Sequence, residues 1–140
     1  MSVTHKINQN VAQLIDANLD RAREGLRTIE DWCRFGLKDK EKVVKIKDWR
    51  QLLGQQHYDF YKRARSASND KGAGLSHPAQ QKRNNPKDVI TANFGRVQEA
   101  LRVLEEFTRT THPELSHLSS KIRYEVYDLE AIIISSFDEK

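Results

Sequence analysis

Residues 17–31, ANLDRAREGLRTIED, return at residues 92–106 as ANFGRVQEALRVLEE. The two stretches align without a gap, and Ala, Asn, Arg, Glu, Leu, Arg and Glu occupy the same places in both. The apolar residues of each stretch recur at spacings of three and four, which indicates an amphipathic helix. This repetition predicts two helical hairpins that pack with approximate twofold symmetry into an all-α four-helix bundle.

Signals for helix starts and ends extend this prediction over the whole chain. Apolar stripes preceded by Asn, Asp or Pro predict four helices. We expect them over 8–35, from Asp39 to about Tyr61, from Asn85-Pro86, and from His112-Pro113 to near the C-terminus. Gly36 is expected to end the first helix, because glycine adopts a positive φ without strain. The chain is interpreted as one helical domain, 1–140, with an internal repeat of about 8–65 and 86–138.

A polar stretch without helical periodicity, residues 66–85, separates the two copies. It is rich in Ser, Asn, Asp, Gly and Pro, which are typical of turns. Loops of this length inside a compact domain are usually either functional or disordered. The sequence leaves both outcomes open.

Composition and charge narrow the classes of function. Of the 140 residues, 37% are hydrophobic and 31% charged, and no apolar run approaches the roughly 20 residues that cross a bilayer. The N-terminus lacks a signal-peptide pattern, so a cytoplasmic location without membrane contact is expected. The single cysteine, Cys33, excludes an internal disulfide and is interpreted as a core residue. The 24 basic and 20 acidic residues are interleaved, which argues against nucleic acid despite the net charge of +4.

Each copy also carries a polar ladder, in which Asn, Arg, Glu, Arg and Glu recur every three residues. The ladder comprises Asn18, Arg21, Glu24, Arg27 and Glu30 in the first copy, and Asn93, Arg96, Glu99, Arg102 and Glu105 in the second. Each step of three turns back by about 60° on a helix, so the ladder winds away from the apolar face. Ordinary surface ion pairs have the same spacing, and an Asn facing the core can fix helix register. Recurrence of the ladder in both copies favours a shared, symmetric polar site.

Residues 16–35 and 92–107, with the loop residues 70–78 (DKGAGLSHP) and Arg83, closely resemble the helical domain N-terminal to thiamine phosphate synthase in cyanobacteria and some other bacteria. The resemblance covers roughly residues 11–129. That domain is similar to the monofunctional hydroxymethylpyrimidine-phosphate kinases. The resemblance implies phosphorylation of 4-amino-5-hydroxymethyl-2-methylpyrimidine phosphate to its diphosphate in thiamine biosynthesis, with ATP as co-substrate and Mg²⁺ as cofactor.

Phosphoryl transfer requires cations around the phosphates, Mg²⁺ across the transferred group and an aligned acceptor. The chain has no P-loop and no protein-kinase signature, so side chains of the repeat and of the loop would have to build the site. For catalysis we expect Asp70, Arg96 and Glu99; for substrate and phosphate binding, Asn18, Arg21, Glu24, Arg27, His77, Arg83, Asn93 and Arg102; for Mg²⁺, Glu30 and Glu105. The central loop is expected to close over the ligands and exclude water.

Two other classes of function stay open at this point. In the first, the chain is a non-catalytic assembly or dimerisation domain, whose partner is thiamine phosphate synthase or a second copy. In the second, it is a helical nucleic-acid binder, with steeply salt-dependent affinity. The kinase interpretation makes the pyrimidine phosphate and ATP its partners, and it leaves a homodimer open.

Overall fold

The secondary structure is helical along the part of the chain that the computed structural model describes, residues 7–65, 70–78 and 82–138. These residues contain no strand, which confirms the predicted all-α class. The elements are α1 (Gln9–Asp31), a π-helical turn (Trp32–Gly36), α2 (Lys40–Gln55), α3 (Asp59–Arg63), α4 (Pro86–Phe107) and α5 (Pro113–Ser136). Within the predicted loop, residues 66–69 and 79–81 lie outside the described residues. None of the described helices is long and apolar enough to cross a membrane.

The helices begin where the sequence predicts, and at α2 and α4 a side chain caps a free N–H group of the first turn. The Asn85 side chain accepts a hydrogen bond from the backbone N–H of Asp88 at 2.9 Å, and Pro86 opens α4. The Asp39 carboxylate accepts from the backbone N–H of Lys42 at 3.2 Å at the start of α2. The predicted starts of the second, third and fourth helices are therefore confirmed within one residue.

The first helix ends differently from the prediction. Regular α-helix stops at Asp31, and the chain continues as a wider π-helical turn to Gly36. Gly36 does not adopt a positive φ; that conformation falls on Lys38, at 55°. Gly36 is required for a different reason, because a Cβ atom there would lie 2.5 Å from the Trp32 ring. The glycine therefore permits close packing of an aromatic side chain.

The second helix is also shorter than predicted, ending at Gln55 before the separate helix α3. In the break, the His57 side chain is buried, and its Nε2 atom lies 2.7 Å from Oδ1 of Asp16 in α1. Arg65, just after α3, donates to both oxygens of the same carboxylate at 2.7 and 2.8 Å. Continuing α2 as one straight helix would carry His57 away from this carboxylate, so the buried polar contact accounts for the break.

The two copies of the repeat, α1 and α4, pack against each other at the centre of the fold. α2 packs on α1, α5 packs on α4, and α2 meets α5 more sparsely. One core joins these four helices through fully buried side chains that include Ile15, Leu19, Leu26, Ile46, Leu53, Phe94, Leu101, Leu104, Leu115 and Val126. Cys33 is part of this core, as predicted, and burial raises the pKa of its thiol to about 11. The arrangement agrees with a bundle of two hairpins.

A second buried polar contact joins the two hairpins near the end of α2. His112 is fully buried, and its Nε2 atom lies 2.8 Å from Oε1 of Gln56, while the Tyr61 hydroxyl lies 2.8 Å from its Nδ1 atom. Burial lowers the pKa of His112, which favours the neutral ring. A neutral ring with hydrogen on Nε2 donates to Gln56 and accepts from Tyr61, so both nitrogens are satisfied.

α1 and α4 lie close together at Gly25. A Cβ atom at this position would lie 2.6 Å from Cγ2 of Val97 and 3.3 Å from the backbone oxygen of Asn93. Val97 is fully buried, and its branched side chain has little rotational freedom inside a helix. The glycine therefore sets how near the two copies of the repeat can come.

We expect Gly25→Ala to destabilise the fold. Overpacking a core costs about 1–3 kcal/mol, and alanine returns at most roughly 1 kcal/mol through its helix propensity. Gly95→Ala is the matched control, because a Cβ atom there meets nothing within 4 Å and alanine should stabilise α4. Urea unfolding followed by circular dichroism compares the two free energies. Equal stabilisation of both variants would contradict the close packing at Gly25.

Candidate functional site

A cleft of about 780 Å³ opens along the contact between the two copies of the repeat. Its lining residues come from α1, from α4 and from the central loop. They are Asn18, Arg21, Leu75, Ser76, Arg83, Ala92, Asn93, Gly95, Arg96, Glu99, Ala100 and Val103. The volume lies within the range of roughly 300–1,000 Å³ that is typical of small-molecule sites. This cleft is the candidate functional site.

The cleft brings together the first two members of both polar ladders. Asn18 and Arg21 enter from α1, and Asn93 and Arg96 enter from the equivalent positions of α4. Glu99, the next member in α4, also lines the cleft. The site is therefore built from both copies but unequally, with most of its wall on α4.

The two asparagines use their amide groups in the same way. The Asn18 side chain donates from its nitrogen to the backbone oxygen of Leu14 at 2.9 Å. The Asn93 side chain donates to the backbone oxygen of Val89 at 2.8 Å. Each bond uses one of the two N–H donors of the amide at a largely buried helix contact, and it leaves the second N–H and the carbonyl oxygen for a ligand.

The charge of the cleft favours an anion. Among the described residues, its ionisable lining consists of the guanidinium groups of Arg21, Arg83 and Arg96 and the carboxylate of Glu99. A guanidinium group can bind two phosphate oxygens at once, and several of them around one cleft attract anionic ligands. The described loop reaches the site through Leu75, Ser76 and Arg83, so it contributes one of the three cations.

Three candidates from the ladders lie outside the cleft, on exposed helix faces. Glu24 is exposed. Arg27 pairs with Asp31 at 3.3 Å, and Arg102 pairs with Glu106 at 2.7 Å. Both are i,i+4 surface pairs with acidic residues outside the ladder, instead of the three-residue pairs within the ladder that the alternative interpretation expected. Because each step of the ladder turns by about 60° around the helix, the first members face the cleft and these later members face away from it.

The two carboxylates expected to bind Mg²⁺ instead brace the two hairpins. Glu30 is buried and pairs with Lys47 at 2.9 Å and Arg50 at 2.8 Å, both in α2. Burial opposes its charge, but the hydrogen bonds from Arg50 and Lys47 outweigh that effect and lower the pKa of Glu30. At the equivalent position, Glu105 pairs with Arg123 of α5 at 3.0 Å.

These contacts leave Glu30 and Glu105 poorly suited to a divalent cation. Each carboxylate is already neutralised by basic groups of the neighbouring helix, and neither lines the cleft. In the described parts of the chain, moreover, three or more His, Cys, Asp or Glu residues never gather in a metal-binding group. The symmetric salt bridges give a structural reason for the repetition of these two glutamates.

The loop candidates occupy an exposed turn beside the cleft. The Asp70 carboxylate accepts a hydrogen bond from the backbone N–H of Gly72 at 2.9 Å, and Gly74 adopts a φ of 81°. Neither Asp70 nor His77 is among the lining residues, although Leu75 and Ser76 between them are. The turn therefore directs its middle residues to the cleft and leaves the expected catalytic carboxylate outside it.

Two features were not predicted from the sequence: the apolar part of the cleft, and the contacts of Asp16 with His57 and Arg65 on the opposite face of α1. Ala92, Gly95, Ala100 and Val103 follow the ladder residues on the same face of α4, a helical spacing that could have identified them. No local pattern pairs His57 with a carboxylate 41 residues earlier. Such a contact depends on the break after α2.

A smaller pocket of about 430 Å³ lies at the turn before α2 and shares no residue with the cleft. It is lined by Arg34, Lys38, Asp39, Lys40, Val43 and Lys47. Two of its charged groups are already paired, since Asp39 bonds to Lys42 at 2.6 Å and Lys47 bonds to Glu30. No member of either ladder lines it, so the larger cleft is the stronger candidate.

Relatives of this chain are named thiamine-phosphate synthase. One from Prochlorococcus marinus strain SARG is 65% identical over 134 residues, which is 96% of this chain and 39% of the relative. Another from Prochlorococcus marinus strain MIT 9303 is 59% identical over 97% of this chain and 38% of the relative. A third, from Synechococcus sp. strain CC9605, is 58% identical over 93% of this chain and 37% of the relative.

The chain thus spans less than half the length of these curated relatives. No solved structure matches it. Residues 13–132, which include both repeated stretches, 17–31 and 92–106, and every residue lining the cleft, match the ThiD2 family. Because this match covers most of the 140 residues, the chain belongs to the ThiD2 family.

Proposed function

We propose that this domain is a kinase of thiamine biosynthesis, which transfers the γ-phosphoryl group of ATP to 4-amino-5-hydroxymethyl-2-methylpyrimidine phosphate and forms the diphosphate. The observation that carries the proposal is the convergence of Arg21, Arg83 and Arg96 on one cleft of small-molecule size. The similarity to proteins named thiamine-phosphate synthase supports a place in that biosynthesis.

The chemistry of the acceptor explains why such a site needs arginines more than a base. The attacking atom is an oxygen of a phosphate monoester, whose second pKa is about 6. At neutral pH that oxygen is already ionised, so its attack on the γ-phosphorus requires no proton removal. The larger obstacle is repulsion between the acceptor phosphate and the triphosphate of ATP. The three guanidinium groups of the cleft reduce that repulsion and hold both phosphates in line.

The cleft also fits the way proteins hold Mg²⁺ with a nucleotide. Such an ion usually takes one or two carboxylates, together with phosphate oxygens and water. Glu99 is the one carboxylate among the lining residues, so it is the residue that would hold the ion. When bound, Mg²⁺ supplies charge neutralisation across the transferred phosphoryl group. Asp70 is not needed as a general base in this account.

The uncharged lining suits the pyrimidine ring. Ala92, Ala100, Val103 and Leu75 provide apolar surface beside the arginines. The side-chain oxygens of Asn18 and Asn93 are acceptors for an amino group, which the proposed substrate carries on its ring. Adjacent parts of one cleft can thus bind the ring and the phosphate of the substrate.

The direct test is turnover by the purified chain. Incubation with ATP, Mg²⁺ and the pyrimidine monophosphate should yield ADP and the pyrimidine diphosphate in equal amounts, measured by anion-exchange chromatography. A reaction without the pyrimidine measures background ATP hydrolysis. If the protein is folded by circular dichroism and forms no diphosphate, the kinase proposal is wrong.

A further inference from the structure

Gly95 stands in the middle of α4 without a packing reason among the described residues. A Cβ atom at this position meets no atom of these residues within 4 Å outside its own helix backbone, whereas a Cβ atom at Gly25 would clash with Val97. Glycine inside a helix weakens it relative to alanine. A residue that costs stability and relieves no contact within the fold leaves space for something else, and Gly95 lines the cleft.

The internal repeat shows what the first copy does at the same position. The equivalent of Gly95 is Asp20, whose carboxylate accepts a hydrogen bond from Arg65 at 3.1 Å. In α1 this position therefore helps to hold the segment after α3. In α4 it carries no side chain and lies one turn from both Ala92 and Glu99, which also line the cleft. The two copies have diverged at the point where the cleft opens.

We propose that Gly95 is where the planar ring of the substrate rests against the backbone of α4, so that this residue sets the size limit for the ring. The inference depends on the proposed function for the identity of the ring. Ala92 and Leu75 border the same space, and the phosphate of the substrate extends to Arg21, Arg83 and Arg96. The absence of a side chain lets the ring approach the helix closely while its phosphate reaches the guanidinium groups.

The test is calorimetric binding of two probes to wild-type protein and to Gly95→Ala. The probes are the pyrimidine monophosphate, which has the ring, and inorganic pyrophosphate, which has none. The added methyl group should raise the Kd for the pyrimidine monophosphate about tenfold or more, as one misplaced methyl does in a tight pocket. The Kd for pyrophosphate should stay unchanged, because its arginine contacts are kept. Gly54→Ala, in α2, is the control: its Cβ atom would lie 3.2 Å from the flexible guanidinium end of Arg23, which does not line the cleft, so it should change neither Kd.

The outcomes separate this inference from the proposed function. Equal affinity of wild type and Gly95→Ala for the pyrimidine monophosphate overturns the inference, even where the wild type forms the diphosphate. An equal rise in the Kd of both probes in Gly95→Ala also overturns it, because the effect would not depend on the ring. If Gly95→Ala weakens binding of the pyrimidine monophosphate alone, and the wild type forms no diphosphate, the ring contact is supported and the kinase proposal is wrong. Failure of the wild type to bind the pyrimidine monophosphate contradicts both.

Discussion

Arg96→Ala should lower kcat/KM for phosphoryl transfer by about a hundredfold or more, which is the usual loss when one preorganised donor to a reacting oxyanion is removed. Arg96 enters the cleft beside Glu99, and its counterpart Arg21 enters from α1. The remaining two cations cannot hold donor and acceptor phosphates in line as well as three. Steady-state kinetics with ATP and the pyrimidine monophosphate measure the effect.

Arg102→Ala is the matched comparison on the same helix. Arg102 belongs to the same ladder, but it lies outside the cleft and pairs with Glu106 on the surface. An exposed pair of this kind contributes at most about 1 kcal/mol to stability, so the variant should fold. We expect kcat/KM to stay close to that of the wild type. An equal loss of kcat/KM in Arg96→Ala and Arg102→Ala would contradict the assignment of the active site to the cleft.

Asp16→Asn should destabilise the fold by about 1–3 kcal/mol, which is typical when one partner is removed from hydrogen bonds in a buried place. The Asp16 side chain is 4% exposed and receives His57 on one side and Arg65 on the other. The substitution removes the negative charge and leaves the buried His57 ring and the Arg65 guanidinium without it. Urea unfolding followed by circular dichroism gives the free energy of unfolding.

Asp31→Asn, at the C-terminal end of α1, is the control for this prediction. Asp31 is 47% exposed and pairs with the exposed Arg27, so the expected loss is below about 1 kcal/mol. Burial opposes the charge of Asp16, but the hydrogen bonds from Arg65 and His57 lower its pKa from 3.8. The stability that Asp16 contributes should therefore be present above pH 3.8 and be lost as the pH falls through the lowered pKa. Similar losses for both variants would contradict the buried network.

The repeat made the fold predictable from the sequence. Apolar periodicity and the start signals Asn85-Pro86 and His112-Pro113 identify helix type and helix starts, because these signals are local. Helix ends were less predictable, since they depend on distant contacts. The break after Gln55 follows from the burial of His57 against Asp16, and the glycine at the end of the π-helical turn is required by its packing on Trp32.

The polar ladder predicted part of the candidate site for a similar reason. Helical spacing alone places Asn18 and Asn93 within the apolar face and Arg21 and Arg96 at its border. It also rotates Arg27 and Arg102 away to the surface. Whether a glutamate at the end of the ladder meets a ligand or a lysine depends on the neighbouring helix, which the ladder itself does not encode. Glu30 and Glu105 meet basic residues of α2 and α5.

The duplicated residues therefore play equivalent parts in the fold but unequal parts in the cleft. The glutamates at the end of each ladder brace each hairpin in the same way, so that part of the symmetry is structural. In the cleft the symmetry is incomplete, because Glu99 lines it and Glu24 does not. A site with two unlike phosphate ligands requires such a difference between its two halves.

The central claim is that the duplicated Asn and Arg residues hold one phosphorylated ligand. Its most direct test is amide NMR of the chain titrated with the pyrimidine monophosphate. The account predicts shift changes concentrated around residues 18–21, 75–83 and 92–103, with the same set weakened in Arg96→Ala. Changes centred instead on the pocket around Lys38 and Lys40, or no changes at ligand concentrations that support turnover, would contradict it.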